Sequence, residues 1–192
     1  MTGNDLFAIV LAAGLGERFG GTKQLACYDG MPLVARAVRT AEAVCGRRVV
    51  LVTGREHRRV AAAAAPVMGY FTVNDRYAEG MSTSIRAGTE CVRHVAGAVL
   101  VLLADQPLVT IEHLAVLAAT WRARPDAIVA SRYAGTAGPP VIFPRAFFGE
   151  LEALHGDRGA WPVIAANEGR VLHVEFDRGA MDVDRPEDLT RR

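Results

Sequence analysis

An α/β domain with a mostly parallel sheet is what this sequence predicts, and three observations carry the prediction. Short runs rich in Val, Ile and Leu alternate with longer helix-like stretches, the pattern of repeated βα units. Several runs are apolar throughout instead of alternating, as strands covered by helices on both faces must be. Glycine and charge gather where the runs end, and in an open α/β sheet ligands sit beyond the carboxyl ends of the strands. The 192 residues suffice for one sizeable core, so residues 1–192 are expected to form a single domain.

Taken in order, Phe7–Ala12 (FAIVLA) is the first expected strand, followed by a glycine-rich turn. Pro32–Val44 reads as a helix, with Pro32 suited to a first turn that needs no N–H. Arg48–Thr53 (RVVLVT) is the second strand and Glu56–Ala65 a helix with an alanine-rich end. Tyr70–Val73 (YFTV) is the third strand, Met81–Val92 the next helix, and Ala98–Leu103 (AVLVLL) the fourth strand. Thr110 has the character of an N-cap for a helix over Ile111–Arg122. Ala127–Ser131 is the fifth strand. The segment Tyr133–Pro140, rich in Gly, Pro and Ala, breaks the rhythm and reads as a long loop or a departure from the sheet. Helices are expected again around Arg145–Leu154 and Ala160–Asn167.

Composition excludes several classes of function. Hydrophobic residues are 51% and charged residues 22%, which describes a folded globule. Net charge is +1 with no basic block, so no nucleic acid or acidic membrane partner is implied and any anion binding must be local. Cys27, Cys45 and Cys91 are an odd set without CxxC spacing; neither disulfide nor zinc is suggested, and buried core thiols are expected. The five histidines form no HxxxH or HExxH pair. No basic segment precedes Leu6–Ala13, and the longest apolar run, Val95–Ala104, falls far short of the ~20 residues that cross a bilayer. A cytoplasmic location is the expectation.

The strand ends supply the chemistry. Leu11–Leu25 reads LAAGLGERFGGTKQL, in which Gly14, Gly16, Gly20 and Gly21 permit tight turns with N–H groups aimed at a ligand. Arg18 can fork onto phosphate oxygens and Lys23 adds a point charge. Together they suit a nucleoside triphosphate, or else a glycine-rich turn with solvated charges. The spacing is not a P-loop, because Thr22 precedes Lys23 and Gln24 follows it. Nor is it a GxGxxG fingerprint, whose third glycine would fall on Phe19, and Thr53-Gly54-Arg55 offers no acid for a ribose. Asp105 ends an apolar strand, where a carboxylate needs a partner; Mg²⁺ shared with phosphate would serve, as would a cap on the turn before Pro107. Asp182 and Asp184 alternate about Val183 and share a face if extended, which makes either a second metal ligand or both a turn. Glu187 and Asp188 follow Pro186 as helix-start acids. In Asn74–Gly88, Ser82, Thr83 and Ser84 sit at a helix start and suit base or substrate recognition.

These four segments, in this order, resemble the MobA-like nucleotidyltransferases, and most closely their molybdenum cofactor cytidylyltransferase branch. The matching stretches are Leu11–Leu25, Ala78–Gly88 (AEGMSTSIRAG), Leu102–Thr110 (LLADQPLVT) and Asp182–Leu189 (DVDRPEDL). The resemblance implies a Rossmann-like three-layer domain of the nucleotide-diphospho-sugar transferase type. It also implies that the backbone of Leu11, Ala12, Ala13, Gly14 and Gly16, with Ser82 and Ser84, holds the nucleotide. Arg18 and Lys23 would meet the triphosphate, and Asp105 would bind Mg²⁺ with Asp184 or Asp182. LAAG with ADQP is similar to the cytidylyl members, so the implied reaction transfers CMP from CTP to molybdopterin or its molybdenum-loaded form, a phosphorylated pterin, for delivery to a molybdoenzyme. Three positions depart from the pattern: Gly16 stands for a serine, Pro139 for a histidine and Trp161 for an arginine, the last two on the acceptor side. Two other readings compete. One is an NAD(P)H-linked oxidoreductase using Gly14, Gly16 and Gly20 with Arg55; the other is a non-catalytic chaperone that passes a cofactor to a dehydrogenase.

Overall fold

The computed structural model describes residues 5–65 and 69–190. Nine strands and six α-helices follow one another as β1 (Leu6–Ala12), β2 (Cys27–Tyr28), β3 (Met31–Pro32), α1 (Leu33–Cys45), β4 (Val49–Thr53), α2 (His57–Ala64), β5 (Tyr70–Val73), α3 (Met81–Val92), β6 (Ala98–Leu103), α4 (Ile111–Ala123), β7 (Ile128–Tyr133), β8 (Thr136–Pro144), α5 (Phe148–Glu152), α6 (Trp161–Ala166) and β9 (Val171–Glu175) among the described residues. Seven strands form one sheet in the order β5-β4-β1-β6-β8-β7-β9, in which β8 alone runs against the other six. β2 and β3 make a separate two-stranded hairpin.

Side chains on β1 show why the sheet is central. Leu6, Ala8, Val10 and Ala12 pack on one face with α1, α2 and α4; Phe7, Ile9 and Leu11 pack on the other with α3, α5 and α6. Both faces are covered, so the strand has no polar side to present and reads as a continuous apolar run. Each large aliphatic side chain so buried is worth about 1.5–3 kcal/mol over leaving it in water. The three-layer α/β arrangement expected from the sequence is the one observed.

The differences are local and have physical causes. Pro32 lies just before the helix, not in its first turn: it belongs to the β2–β3 hairpin, and the Leu33 amide turns back to the Ala26 carbonyl at 2.9 Å. Thr110 is the N-cap of α4, its Oγ1 accepting from the His113 amide at 3.2 Å. The expected loop at Tyr133–Pro140 is instead a hairpin. β7 runs on to Tyr133, Ala134 and Gly135 turn with positive φ, and β8 returns between β6 and β7. Pro139 and Pro140, joined by a cis peptide, fall where the register jumps from Ala130↔Val141 to Ser131↔Gly138. A bulge asks no ladder N–H of them, so the prolines are tolerated inside the sheet. The Ser131 hydroxyl donates to the Pro140 carbonyl at 2.6 Å and accepts from His113 Nε2 at 2.8 Å, which closes the gap in the ladder. β9, unforeseen, is a half-exposed edge strand beside β7. Of the cysteines only Cys45 is buried; Cys27 and Cys91 are exposed, and in each case it is the next residue, Tyr28 or Val92, that is buried. No helix among the described residues is long and apolar enough to cross a membrane.

Candidate active site

The carboxyl ends of β1 and β6, adjacent in the sheet, converge on one cavity of about 660 Å³. After β1 the chain folds on itself around the Gly16 carbonyl, which accepts from the amides of Phe19, Gly20 and Gly21 at 3.0–3.4 Å. Gly16 has φ 64°, and a Cβ there would run into the Gly21 carbonyl, so no other residue fits without opening the loop. Gln24, almost wholly buried, braces the loop from below by donating Nε2 to the Gly14 carbonyl at 2.9 Å.

Four charged side chains meet over this loop. Lys23 Nζ lies 2.5 Å from Asp105 Oδ2 and 3.2 Å from Asp184 Oδ1, while Arg18 Nη1 lies 2.7 Å from Asp184 Oδ2. The Lys23 and Asp105 side chains are only 13% and 20% exposed, so their attraction is little screened; Arg18, at 75%, is in solvent and its pairing is worth little. Burial opposes the Lys23 charge, but Asp105 and Asp184 outweigh it and hold the ammonium above its usual range. The C-terminal segment is placed by backbone: the Val183 amide donates to the Asp105 carbonyl at 2.9 Å, and Val183 is buried with Tyr28 and Leu33. Asp188 is not merely a helix-start acid, since its carboxylate is buried and accepts from the amides of Asp184 (3.1 Å) and Arg185 (2.9 Å), shaping the turn that presents Asp184.

Carboxylates outnumber cations in the cavity lining: Glu17, Glu79, Asp105, Asp157, Asp182 and Asp184 against Arg18 and Lys23. Asp105 Oδ1 is buried without a hydrogen-bond partner. Desolvation, then the neighbouring Asp105, pushes the Asp182 carboxyl up to about 6. Unbalanced acids with an orphaned oxygen fit a divalent cation. Among the described residues no three His, Cys, Asp or Glu side chains are arranged to hold a metal alone; Mg²⁺, which takes one or two carboxylates and fills its octahedron with phosphate and water, needs no such trio.

Of the residues singled out from the sequence, Leu11, Ala13, Gly14, Gly16, Arg18, Lys23, Ser84, Asp105, Asp182 and Asp184 line this one cavity. Ala12 lines a smaller one, about 370 Å³, across the glycine loop. Ser82 lines neither, being fully buried. The first amides of α3, expected to face a ligand, are already engaged: Met81 N donates to Asp157 Oδ1 at 3.1 Å and Ser82 N to the Gly156 carbonyl at 3.2 Å. That strap at 156–157, which forms part of the cavity wall, and the Gln24 brace went unforeseen. Gln24 carried one faint signal, a polar residue among apolar neighbours directly after Lys23; the strap carried none, because its partner is 76 residues away.

Comparison with known proteins bears on the family and the fold. A family model described as the MobA-like NTP transferase domain matches residues 8–171. The purine catabolism protein PucB of Bacillus subtilis is 27% identical over 97% of this chain and 96% of its own. The nicotine blue oxidoreductase of Paenarthrobacter nicotinovorans is 33% identical over 70% of this chain and 65% of its own. Among solved structures, Rv0371c of Mycobacterium tuberculosis H37Rv superimposes with TM-score 0.83 at 30% identity, covering 98% of this chain and 96% of that one. A structure of Rv0371c in complex with manganese gives TM-score 0.79 at 29% identity over 96% and 95% of the two chains.

Proposed function

The chain belongs to the MobA-like NTP transferase family, and on that premise we propose that it transfers CMP from CTP to a phosphorylated pterin, molybdopterin or its molybdenum-loaded form, as one nucleotidyltransferase domain. The observation that carries the reading is the meeting of Arg18, Lys23, Asp105 and Asp184 over a glycine loop at the ends of two adjacent parallel strands. A terminal phosphate oxygen of the acceptor attacks the α-phosphorus of CTP; a new P–O bond forms, the bond to the bridging α,β-oxygen breaks, and pyrophosphate departs with that electron pair.

The protein's part is alignment and charge. The Ala13–Gly14 backbone and Ser84 border the cavity that would take the base, while Arg18 and Lys23 turn from their carboxylates to the phosphates. Asp105 and Asp184, with Asp182 beside them, would hold Mg²⁺, which when bound neutralises phosphate oxygens. Asp184 is the better placed second ligand, since it shares Lys23 with Asp105. Holding donor and acceptor in line can supply up to about 7–11 kcal/mol of the barrier. On the acceptor side, the Arg158 guanidinium stacks 4.2 Å above the Trp161 ring, which keeps a cation beside the position where the family resemblance leads one to expect arginine.

Pyrophosphate release is the test: it should require a divalent cation, CTP in preference to GTP, and a phosphorylated pterin. Tight CTP binding without pyrophosphate release under any acceptor would instead indicate a cofactor carrier. One comparison favours a second reading, since a relative at 33% identity is named an oxidoreductase. NADPH titration separates the two, because the ion-paired Lys23, Asp105 and Asp184 have no task in hydride transfer. Saturable NADPH binding with no effect of CTP would replace the transferase reading.

A further inference from the structure

Asn74 follows β5 and is 5% exposed. Its Oδ1 accepts from the Arg76 amide at 3.0 Å, which determines the orientation of the side-chain amide. Both Nδ2 protons are then committed, one to Thr83 Oγ1 at 2.8 Å and one to Ser84 Oγ at 2.9 Å. Thr83 in turn has carbonyls of Arg76 and Gly80 within 3.0 Å and 2.8 Å for its own proton. Ser84 has no such outlet. Its oxygen is an acceptor for Asn74, and no hydrogen bond of the described residues uses its proton. Ser84 is 4% exposed, and it is among the residues lining the main cavity with Gly14 and Asp105.

We propose that Asn74 is a positioning residue that holds the Ser84 hydroxyl as a donor toward the cavity, and that this polarity selects nucleobases with an unprotonated ring nitrogen on the pairing edge, cytosine before uracil. The inference rests on the nucleotidyltransferase reading and adds the base to it. A serine free to rotate can give or take a hydrogen bond and so distinguishes neither base. Taking a proton from Asn74 engages one of the two lone pairs on Ser84 Oγ, while its own proton meets no acceptor among the described residues, so the group left to be satisfied from the cavity is that proton. Cytosine N3 can receive that proton. Uracil N3 carries its own, so either two donors face each other out of water or Ser84 turns its second lone pair to uracil and leaves its own proton unpartnered, a loss in both cases. The same rule favours adenine N1 over guanine N1, within whatever size limit the cavity sets.

The experiment is calorimetric titration of the full chain with CTP and with UTP in the presence of Mg²⁺. Wild-type protein should bind CTP about tenfold tighter or more, a gap of about 1.4 kcal/mol. Ser84→Ala should bring the two affinities within about twofold, as should Asn74→Ala, which frees the hydroxyl to rotate. Asn74→Asp should reverse the preference, because a carboxylate only accepts and would draw the Ser84 proton away from the cavity. That reversal is a change no general loosening of the fold could produce. If Asn74→Asp does not fold, the two alanine variants decide. Unmoved ratios would overturn the inference while leaving the transferase reading intact, and a ratio moved by Ser84→Ala alone would overturn the role of Asn74. Failure of wild-type protein to bind either nucleotide would overturn both readings.

Discussion

Asp105 and Gly16 show how much a single position can carry. Asp105 stands at the end of β6 with one oxygen on Lys23 and the other unpartnered, so its removal strips the cavity of its best cation ligand and leaves Lys23 with Asp184 alone. Asp105→Ala should lower pyrophosphate release by at least about 10²-fold, in the range seen when one electrostatic contact of a reacting centre is lost. Turnover close to wild type in that variant would remove the metal assignment. Gly16 is held by sterics. Gly16→Ala must move the Gly21 carbonyl and force an alanine to positive φ, at about 1–3 kcal/mol of local strain. Because the loop is on the surface, the strain should appear as weakened triphosphate affinity with little change in melting temperature. A variant that binds triphosphate as wild type does would show that the loop's backbone is not part of the site.

At the scale of elements, α4 illustrates how a sequence signal and a tertiary contact share one helix. Its start was legible because a threonine cap works within four residues, and Thr110→Ala should cost about 1 kcal/mol, measurable by urea unfolding. One turn on, His113 is bound into the gap between β7 and β8. The Ser131 hydroxyl gives its proton to the Pro140 carbonyl, so His113 Nε2 must be the donor to Ser131, and the ring is neutral and stacked at 4.1 Å on Phe176. Burial lowers its pKa from the usual 6.5 to about 4. A folded pKa below the unfolded one means that the unfolded chain binds the extra proton first. Stability from this group is therefore intact above about pH 6.5 and falls as pH drops toward about 4. Unfolding midpoints should decline between pH 7 and pH 5, and His113→Gln should flatten that decline. A slope equal in both proteins would exclude His113 as its source.

Across the whole molecule, the candidate site is a meeting of chain ends. Arg18 and Asp184 are 166 residues apart in sequence and 2.7 Å apart in space. What joins them is Val183, buried beside Tyr28 and Leu33 and bonded through its amide to the Asp105 carbonyl. Val183→Ala should cost about 2 kcal/mol in stability and, by unlatching the segment that carries Asp182 and Asp184, should weaken metal-dependent triphosphate binding beyond that loss. Equal binding once stability is allowed for would show that the segment is held by other contacts. The strands and helices around the glycine loop were legible because each is a local matter: an apolar run, a capping threonine, a glycine where only glycine fits. Lys23, Asp105 and Asp184 could be named because each carries a signal visible in one dimension: charge in a glycine-rich turn after an apolar run, a carboxylate closing another such run, and an acid alternating with Asp182 about Val183. Everything that needs a partner far along the chain waited for the tertiary structure. β8 was hidden because prolines argue against a strand unless they fall in a bulge of that strand, where no ladder N–H is asked of them. The grip of Asp157 on α3, the brace from Gln24 and the commitment of Asn74 to Ser84 were likewise undetermined. Composition and spacing establish which groups are able to donate, accept or carry charge, whereas which of them are already spent on one another, and which are left for a ligand, depends on distances that only folding sets.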